Sequence, residues 1–186
     1  GVSFGRKETS DGIVYYPAQE SLTLGTGNSL TAGAANGDPR IGPLVISEIL
    51  PTPQANSYEF LEIVNIGAST VNLYDDTSVT GKSNPDNTYE LKGVSFNFPT
   101  NISVAANEVI LLTDAPTEAD FRTAYPSTPA GVQIFTYSGG LSGTGERLRI
   151  RYPDPEDVDP ITGVTNAPYI VMDEVDYGAS ASWPTI

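Results

Sequence analysis

LVISEIL (Leu44–Leu50) and YEFLEIVN (Tyr58–Asn65) are two runs rich in strand-forming residues, separated by the breaker Pro51-Thr52-Pro53. Proline has no N–H to offer a ladder, so the first run must end there. The second run alternates. Leu61 and Ile63 fall on one face and Glu62 on the other, the period-two pattern of a half-buried strand.

Outward from this pair, the same signals predict strands at Val71–Tyr74, Tyr89–Phe98, Val132–Tyr137, Arg147–Tyr152 and Tyr169–Asp176. Ile102–Val104 and Val109–Thr113 read as a hairpin across Ala105–Glu108. TEADFRTAY (Thr117–Tyr125) is the sole helical candidate, with Thr117 as N-cap and acids in its first turn. Eight or nine short strands at roughly ten-residue spacing predict an all-β fold, an antiparallel β-sandwich with one short helix. No repeat of about 20 to 50 residues runs through 43–186, which argues against a solenoid.

Residues 1–42 read differently. They are polar, with a Gly/Ser/Thr/Ala/Asn tract over Ser21–Asp38, interrupted only by apolar Ile13–Tyr16. Nothing periodic buries a face, so an extended N-terminal tail or linker is expected there, with the folded domain at 43–186.

The chain carries 9 basic and 23 acidic residues, for a net charge of −14. Of these, 3 basic and 4 acidic residues precede Pro43, leaving 6 and 19 in the expected domain. Phosphate binding needs clustered Lys and Arg, so a nucleic-acid partner is not expected. Docking on anionic lipid is disfavoured for the same reason, and no run of about 18 apolar residues offers a membrane span. Histidine and cysteine are both absent. That closes Ser/His/Asp and thiol catalysis and the usual zinc ligand sets. With neither an initiating Met nor a secretory leader pattern, the sequence is expected to be a segment of a longer polypeptide.

Five landmarks occur in order: VISEILPTP (Val45–Pro53), YEFLEIVNIGASTVNL (Tyr58–Leu73), FNFPTNISVAANEVILLTD (Phe96–Asp114), YSGGLSGTGERLRIRYP (Tyr137–Pro153) and DEVDYG (Asp173–Gly178). This ordered set resembles the bacterial, extracellular branch of the lamin-tail domain, over about residues 43–178. The resemblance implies an immunoglobulin-like sandwich in a secreted or cell-surface bacterial protein. GVSFGR (Gly1–Arg6) looks like the sequence that follows such a DYG end, so residues 1–42 are also readable as the trailing segment of a preceding module. Within the landmarks, Asn65 is expected to turn the chain in a left-handed conformation. Gly143-Thr144-Gly145 is expected to supply flexibility between strands.

Candidate chemistry is confined to carboxylates, Lys and Tyr. The Gly139–Gly145 stretch lacks a P-loop lysine and an α/β setting, so it reads as a strand connection. Glu59 and Glu62 lie three apart on one strand and point to opposite faces, although Glu48 can approach one of them from the neighbouring strand. A glycosidase needs two carboxylates about 5 to 10 Å apart in a cleft, and the single Trp183 is far along the chain. Calcium is the more plausible chemistry. Asp154, Glu156, Asp157 and Asp159 crowd into six residues, an oxygen-rich loop suited to a hard cation, although the spacing is not that of an EF-hand. Asp75, Asp76 and Asp86 form a second acidic group, and Asp173, Glu174 and Asp176 a third, in which strand alternation is expected to separate Glu174 from the other two. Tyr15, Tyr16, Tyr137, Tyr152, Tyr169 and Tyr177 read either as a binding face or, preferably, as plugs at sandwich edges.

The leading expectation is a non-catalytic adhesion, docking or spacer module of a larger secreted or surface protein. Its expected partners are a protein, a surface glycan or neighbouring modules of its own polypeptide, with no cofactor. The alternative is a calcium-dependent ligand-binding module on Asp154, Glu156, Asp157 and Asp159; a carboxylate hydrolase ranks third.

Overall fold

A computed structural model describes residues 3–8, 14–19, 40, 42–76 and 84–178. The whole Ser21–Asp38 tract, and Trp183, lie outside the described residues. The chain divides into two compact units, Gly1–Gly42 and Pro43–Ile186.

In the first unit, β1 (Lys7–Glu8) pairs antiparallel with β2 (Val14–Tyr15), and a bridge joins Phe4 to Ala18. The Gly5 and Gln19 N–H groups donate to Pro17 and Ser3 carbonyls at 3.1 and 2.9 Å, extending the ribbon. Residues expected to be merely extended are thus backbone-paired. Ladder bonds need only facing N–H and C=O groups, which hydropathy does not report.

The second unit is an all-β sandwich. Its strands are β3 (Leu44–Leu50), β4 (Phe60–Asn65), β5 (Val71–Asn72), β6 (Glu90–Lys92), β7 (Phe96–Asn97), β8 (Ser103–Val104), β9 (Val109–Thr113), β10 (Gln133–Thr136), β11 (Gly145–Pro153), β12 (Asp157–Val158), β13 (Thr165–Asn166) and β14 (Tyr169–Gly178). Helix α1 spans Glu118–Ala124. One sheet runs β10-β9-β4-β3 and the other β14-β11-β6-β7. Leu61 and Ile63 on β4, Ile110 and Leu112 on β9, Leu91 on β6, and Leu148 and Ile150 on β11 are fully buried in one core between the two sheets. Alternation does this work in β11: GERLRIRYP turns Leu148 and Ile150 inward and Arg147, Arg149 and Arg151 outward.

Both flanks of the sandwich are tied. On one, the Ile46 N–H of β3 donates to Asp173 Oδ2 of β14 at 2.8 Å. On the other, Ser95 bridges to Ser138, and Phe135 of β10 packs on Phe96 and Phe98.

Three local expectations are corrected. Residues 102–113 do not form a hairpin: β8 pairs with β5, and β9 pairs with β4. The Tyr89–Phe98 run is two strands, β6 and β7, folded back at Gly93 (φ +110°). A Cβ at Gly93 would stand 2.4 Å from Leu148 Cδ2, so only glycine turns there beneath β11. Finally, β9 and β10 are parallel. A parallel pair needs a crossover of a dozen or more residues, and the stretch containing α1 provides it.

Thr117 caps α1 as expected. Its Oγ1 accepts from the Asp120 N–H at 3.1 Å and donates to Asp120 Oδ2 at 2.7 Å. Arg122 ties the helix down, donating to the Pro129 and Val132 carbonyls at 3.0 and 2.8 Å. Phe121 packs with Leu111 and Ala115 in a second, smaller core, with Phe60 and Tyr125 around it. Helix α1 therefore covers the outer face of β9, which explains why VILLT is apolar without alternation.

Candidate functional site

Among the described residues, a dense polar constellation lies at the Gly-rich connection between β10 and β11. Glu59, just before β4, accepts from the Leu141 N–H at 2.6 Å and from the Tyr137 hydroxyl at 3.3 Å. Glu146, on β11, accepts from the Ser142 N–H at 2.6 Å and from the Tyr177 hydroxyl at 2.9 Å. The Glu59 N–H itself donates to Asp114 Oδ1 at 2.8 Å. Two consecutive amides of the loop are therefore each held by one carboxylate of the protein, in short charge-assisted bonds.

Burial raises the Tyr137 hydroxyl well above the usual tyrosine range, and the charges of Glu59 and Asp114 add to it. Burial likewise raises Tyr177, with the Glu146 hydrogen bond adding to it. Both phenols stay protonated at neutral pH and act as donors. Gly145 (φ +112°) begins β11 opposite Gly178, where an added Cβ would stand 2.5 Å from Gly178 Cα. Its role is close approach of two strands, in place of the flexibility expected of it.

Asn65 is a second hub and a correction. It is the last residue of β4, with strand backbone; among the described residues the non-glycine positions with positive φ are Asn56, Asn101 and Asn107. Its fully buried side chain donates from Nδ2 toward the Ser69, Val104 and Ala105 carbonyls at 2.9, 2.9 and 3.0 Å, and Oδ1 accepts from the Gly67 N–H at 2.9 Å. The Asn65 backbone also bonds both ways with the turn at 105–108, to Glu108 and Asn107. The amide is a clamp between two connections; the chain turns after it.

The four loop carboxylates proposed for calcium sit on or beside the β12–β13 hairpin. Glu156 Oε1 accepts from Asn84 and Asn87 amides at 2.7 and 2.9 Å. Asp159 Oδ1 accepts from the Ile161 and Thr162 N–H groups at 2.8 and 3.1 Å, and those two bonds lower its pKa. Asp157 begins β12, and the Asp154 N–H donates to the Pro168 carbonyl. Among the described residues, no three His, Cys, Asp or Glu side chains come together in a way that can hold a metal ion.

The other acidic groups are likewise engaged. Asp75 Oδ2 accepts from the Asn84 N–H and Asp76 Oδ2 from Asn72 Nδ2, at 2.9 and 2.5 Å, while Asp86 is exposed in the same loop. Glu48 stands opposite Glu62 across β3–β4, and Glu62 takes the Ser47 hydroxyl at 2.6 Å. In β14 the expected separation is corrected. Glu174 and Asp176 share the outer face and both reach Arg147, whereas Asp173 turns to the β3 flank.

That outer face holds a feature the sequence reading missed. Arg147, Arg149 and Arg151 form a row down the middle strand β11, between Glu174 and Asp176 on β14 and Glu90 on β6. Arg147 meets Asp176 at 2.7 Å, Arg149 pairs with Glu174, and Arg151 with Glu90, which also takes Lys92 at 2.7 Å. Arg151 lies over the Tyr169 ring at 5.5 Å. The signal was present as R-L-R-I-R, a period-two alternation of cations.

The tyrosines divide by position. Tyr137 and Tyr177 are buried, Tyr152 and Tyr169 are half-buried, and Tyr16 is exposed. No helix among the described residues is long and apolar enough to cross a membrane. No family model, no curated protein and no solved structure matches the chain.

Proposed function

We propose that residues 43–178 are a lamin-tail-like, immunoglobulin-type module that acts without catalysis. It serves as a docking, adhesion or spacer unit of a larger secreted or cell-surface bacterial protein. The observation that carries this reading is the employment of Glu59 and Glu146. These carboxylates come near one another at the Gly-rich connection, and each is committed to a loop amide and a protonated tyrosine. A general acid or base must exchange protons with substrate in the transition state. A carboxylate already bridging an amide and a phenol of its own fold is better placed to hold that fold.

The order of the landmarks supports the same reading. VISEI and FLEIVN lie in the paired strands β3 and β4, GERLRIRYP is β11, and DEVDYG ends β14 against it. The acidic surface suits protein or glycan partners better than nucleic acid. The full chain incubated with a panel of soluble polysaccharides should release no reducing sugar. Turnover abolished by Glu59→Gln or Glu146→Gln would overturn the proposal.

A further inference from the structure

The β12–β13 hairpin presents an unusual surface. Val158, Ile161 and Val164 are 61%, 92% and 53% exposed, three large aliphatics within seven residues. Val158 pairs with Thr165, and the Asp159 N–H donates to the Val164 carbonyl at 2.9 Å. Strand alternation therefore puts Val158 on one face of the hairpin and Val164 on the other, with Ile161 at the apex. An apolar surface on both faces and the tip has the shape of a finger and suits a cleft better than a flat patch.

The finger is also well braced. Its turn is closed by the Asp159 carboxylate on the Ile161 and Thr162 amides, and by the Gly163 N–H on the Asp159 carbonyl at 2.8 Å. Pro155, Pro160 and Pro168 restrict the backbone around it. A loop held in this way loses little entropy on binding. Clustered exposed aliphatics rimmed by polar groups mark interaction sites.

Charge identifies the occupant. Asp154, Glu156, Asp157 and Asp159 run along the first arm of the finger into its turn, and no Lys or Arg occurs from Tyr152 to Gly178. An anionic membrane is repelled by such an acidic edge. An apolar cleft bordered by Lys and Arg matches both the tip and the edge. We propose that the β12–β13 hairpin is a docking finger for such a cleft on a partner protein. This rests on the docking reading above. The contact area is small, so dissociation constants on the order of micromolar are expected.

The test uses the full chain titrated against short synthetic peptides that combine Leu, Phe or Trp with Lys and Arg. Matched peptides carrying Asp and Glu, and vesicles of phosphatidylcholine with and without phosphatidylglycerol, are run alongside. The basic peptides should bind, and Ile161→Asp should weaken them about tenfold or more, as expected of a central anchor. That variant adds negative charge, so bulk attraction between the acidic chain and a basic peptide predicts tighter binding instead. Asp154→Asn should weaken binding a few-fold. Val164→Asp repeats the apolar test on the other face, and an unchanged unfolding midpoint shows that each variant is folded.

Binding of none of the basic peptides, equal binding of acidic peptides, affinity indifferent to both Asp substitutions, or uptake by vesicles would overturn the proposal. Any of these leaves the absence of polysaccharide turnover untouched, whereas turnover removes the underlying reading.

Discussion

Replacing Asn65 with alanine removes an amide that holds two chain connections against the first sheet. The Val104 carbonyl it meets is buried, those of Ser69 and Ala105 are part-buried, and the Gly67 N–H loses its acceptor. A buried polar group left without a partner costs about 1–3 kcal/mol, and a typical hydrogen bond contributes about 1 kcal/mol net. Water can reach the part-buried carbonyls, so the Val104 carbonyl takes the larger figure and the other groups the smaller. The loss comes to about 4–6 kcal/mol, a large share of the roughly 5–15 kcal/mol that holds a domain together. Urea unfolding followed by circular dichroism should show this as a lower midpoint with unchanged slope.

Asn65→Asp sharpens the test. Its carboxylate would face the carbonyl oxygens that Nδ2 now serves, so burial and repulsion raise its folded pKa above the unfolded value of about 3.9. The protonated acid is then favoured in the folded state. Relative to Asn65→Ala, the Asp variant should fare best below about pH 3.9 and lose stability as pH rises through its raised folded pKa. A loss under 1 kcal/mol for Asn65→Ala, or an Asp variant whose gap to it ignores pH, would refute the clamp.

Phe121→Ala should cost about 3–4 kcal/mol by opening the core beneath α1; a midpoint shift equivalent to under 1 kcal/mol would mean that the helix does not pack as described. Tyr137 and Tyr177 are held protonated by burial, whereas an unfolded tyrosine ionises near pH 10. Their contribution is complete below about pH 10 and is lost as pH climbs beyond it toward their raised folded values. A Tyr137→Phe, Tyr177→Phe chain should show a shallower alkaline decline, and parallel curves would contradict this. Glu156 and Asp159 already accept internal hydrogen bonds, so millimolar calcium should leave the thermal midpoint where chelator leaves it. A rise of several degrees, abolished by Asp157→Asn with Asp159→Asn, would favour the calcium reading.

How much of this was visible in the chain depended on whether the cause was local. Thr117 caps α1 through its own neighbour Asp120, so three residues sufficed to predict it. Leu61 and Ile63 announced the buried face of β4 by alternation alone. The false hairpin at 102–113 arose because its turn is real: the Glu108 N–H does bond to the Ala105 carbonyl. What the local pattern lacks is the partner, since β5 and β4, both far back in the chain, take the two arms. Asn65 was misjudged for a related reason. Its type favours turns, but four contacts, two of them from residues about forty positions on, determine its role. Strand β10 became parallel to β9 only because the helix returns the chain, which no residue within β10 records. The carboxylates at the Gly-rich loop were visible as residues but not as a group. Leu141 and Glu59 are separated by 82 positions, and Tyr177 and Glu146 by 31.

Amide exchange at Leu141 and Ser142, read residue by residue by nuclear magnetic resonance, probes whether Glu59 and Glu146 serve the fold. Both amides should exchange about a hundredfold or more slowly than in an unstructured chain, despite lying in a glycine-rich loop. Glu59→Ala, which removes the acceptor, should release the first and Glu146→Ala the second. Rapid exchange in the unaltered chain, or protection that survives both substitutions, would contradict that assignment.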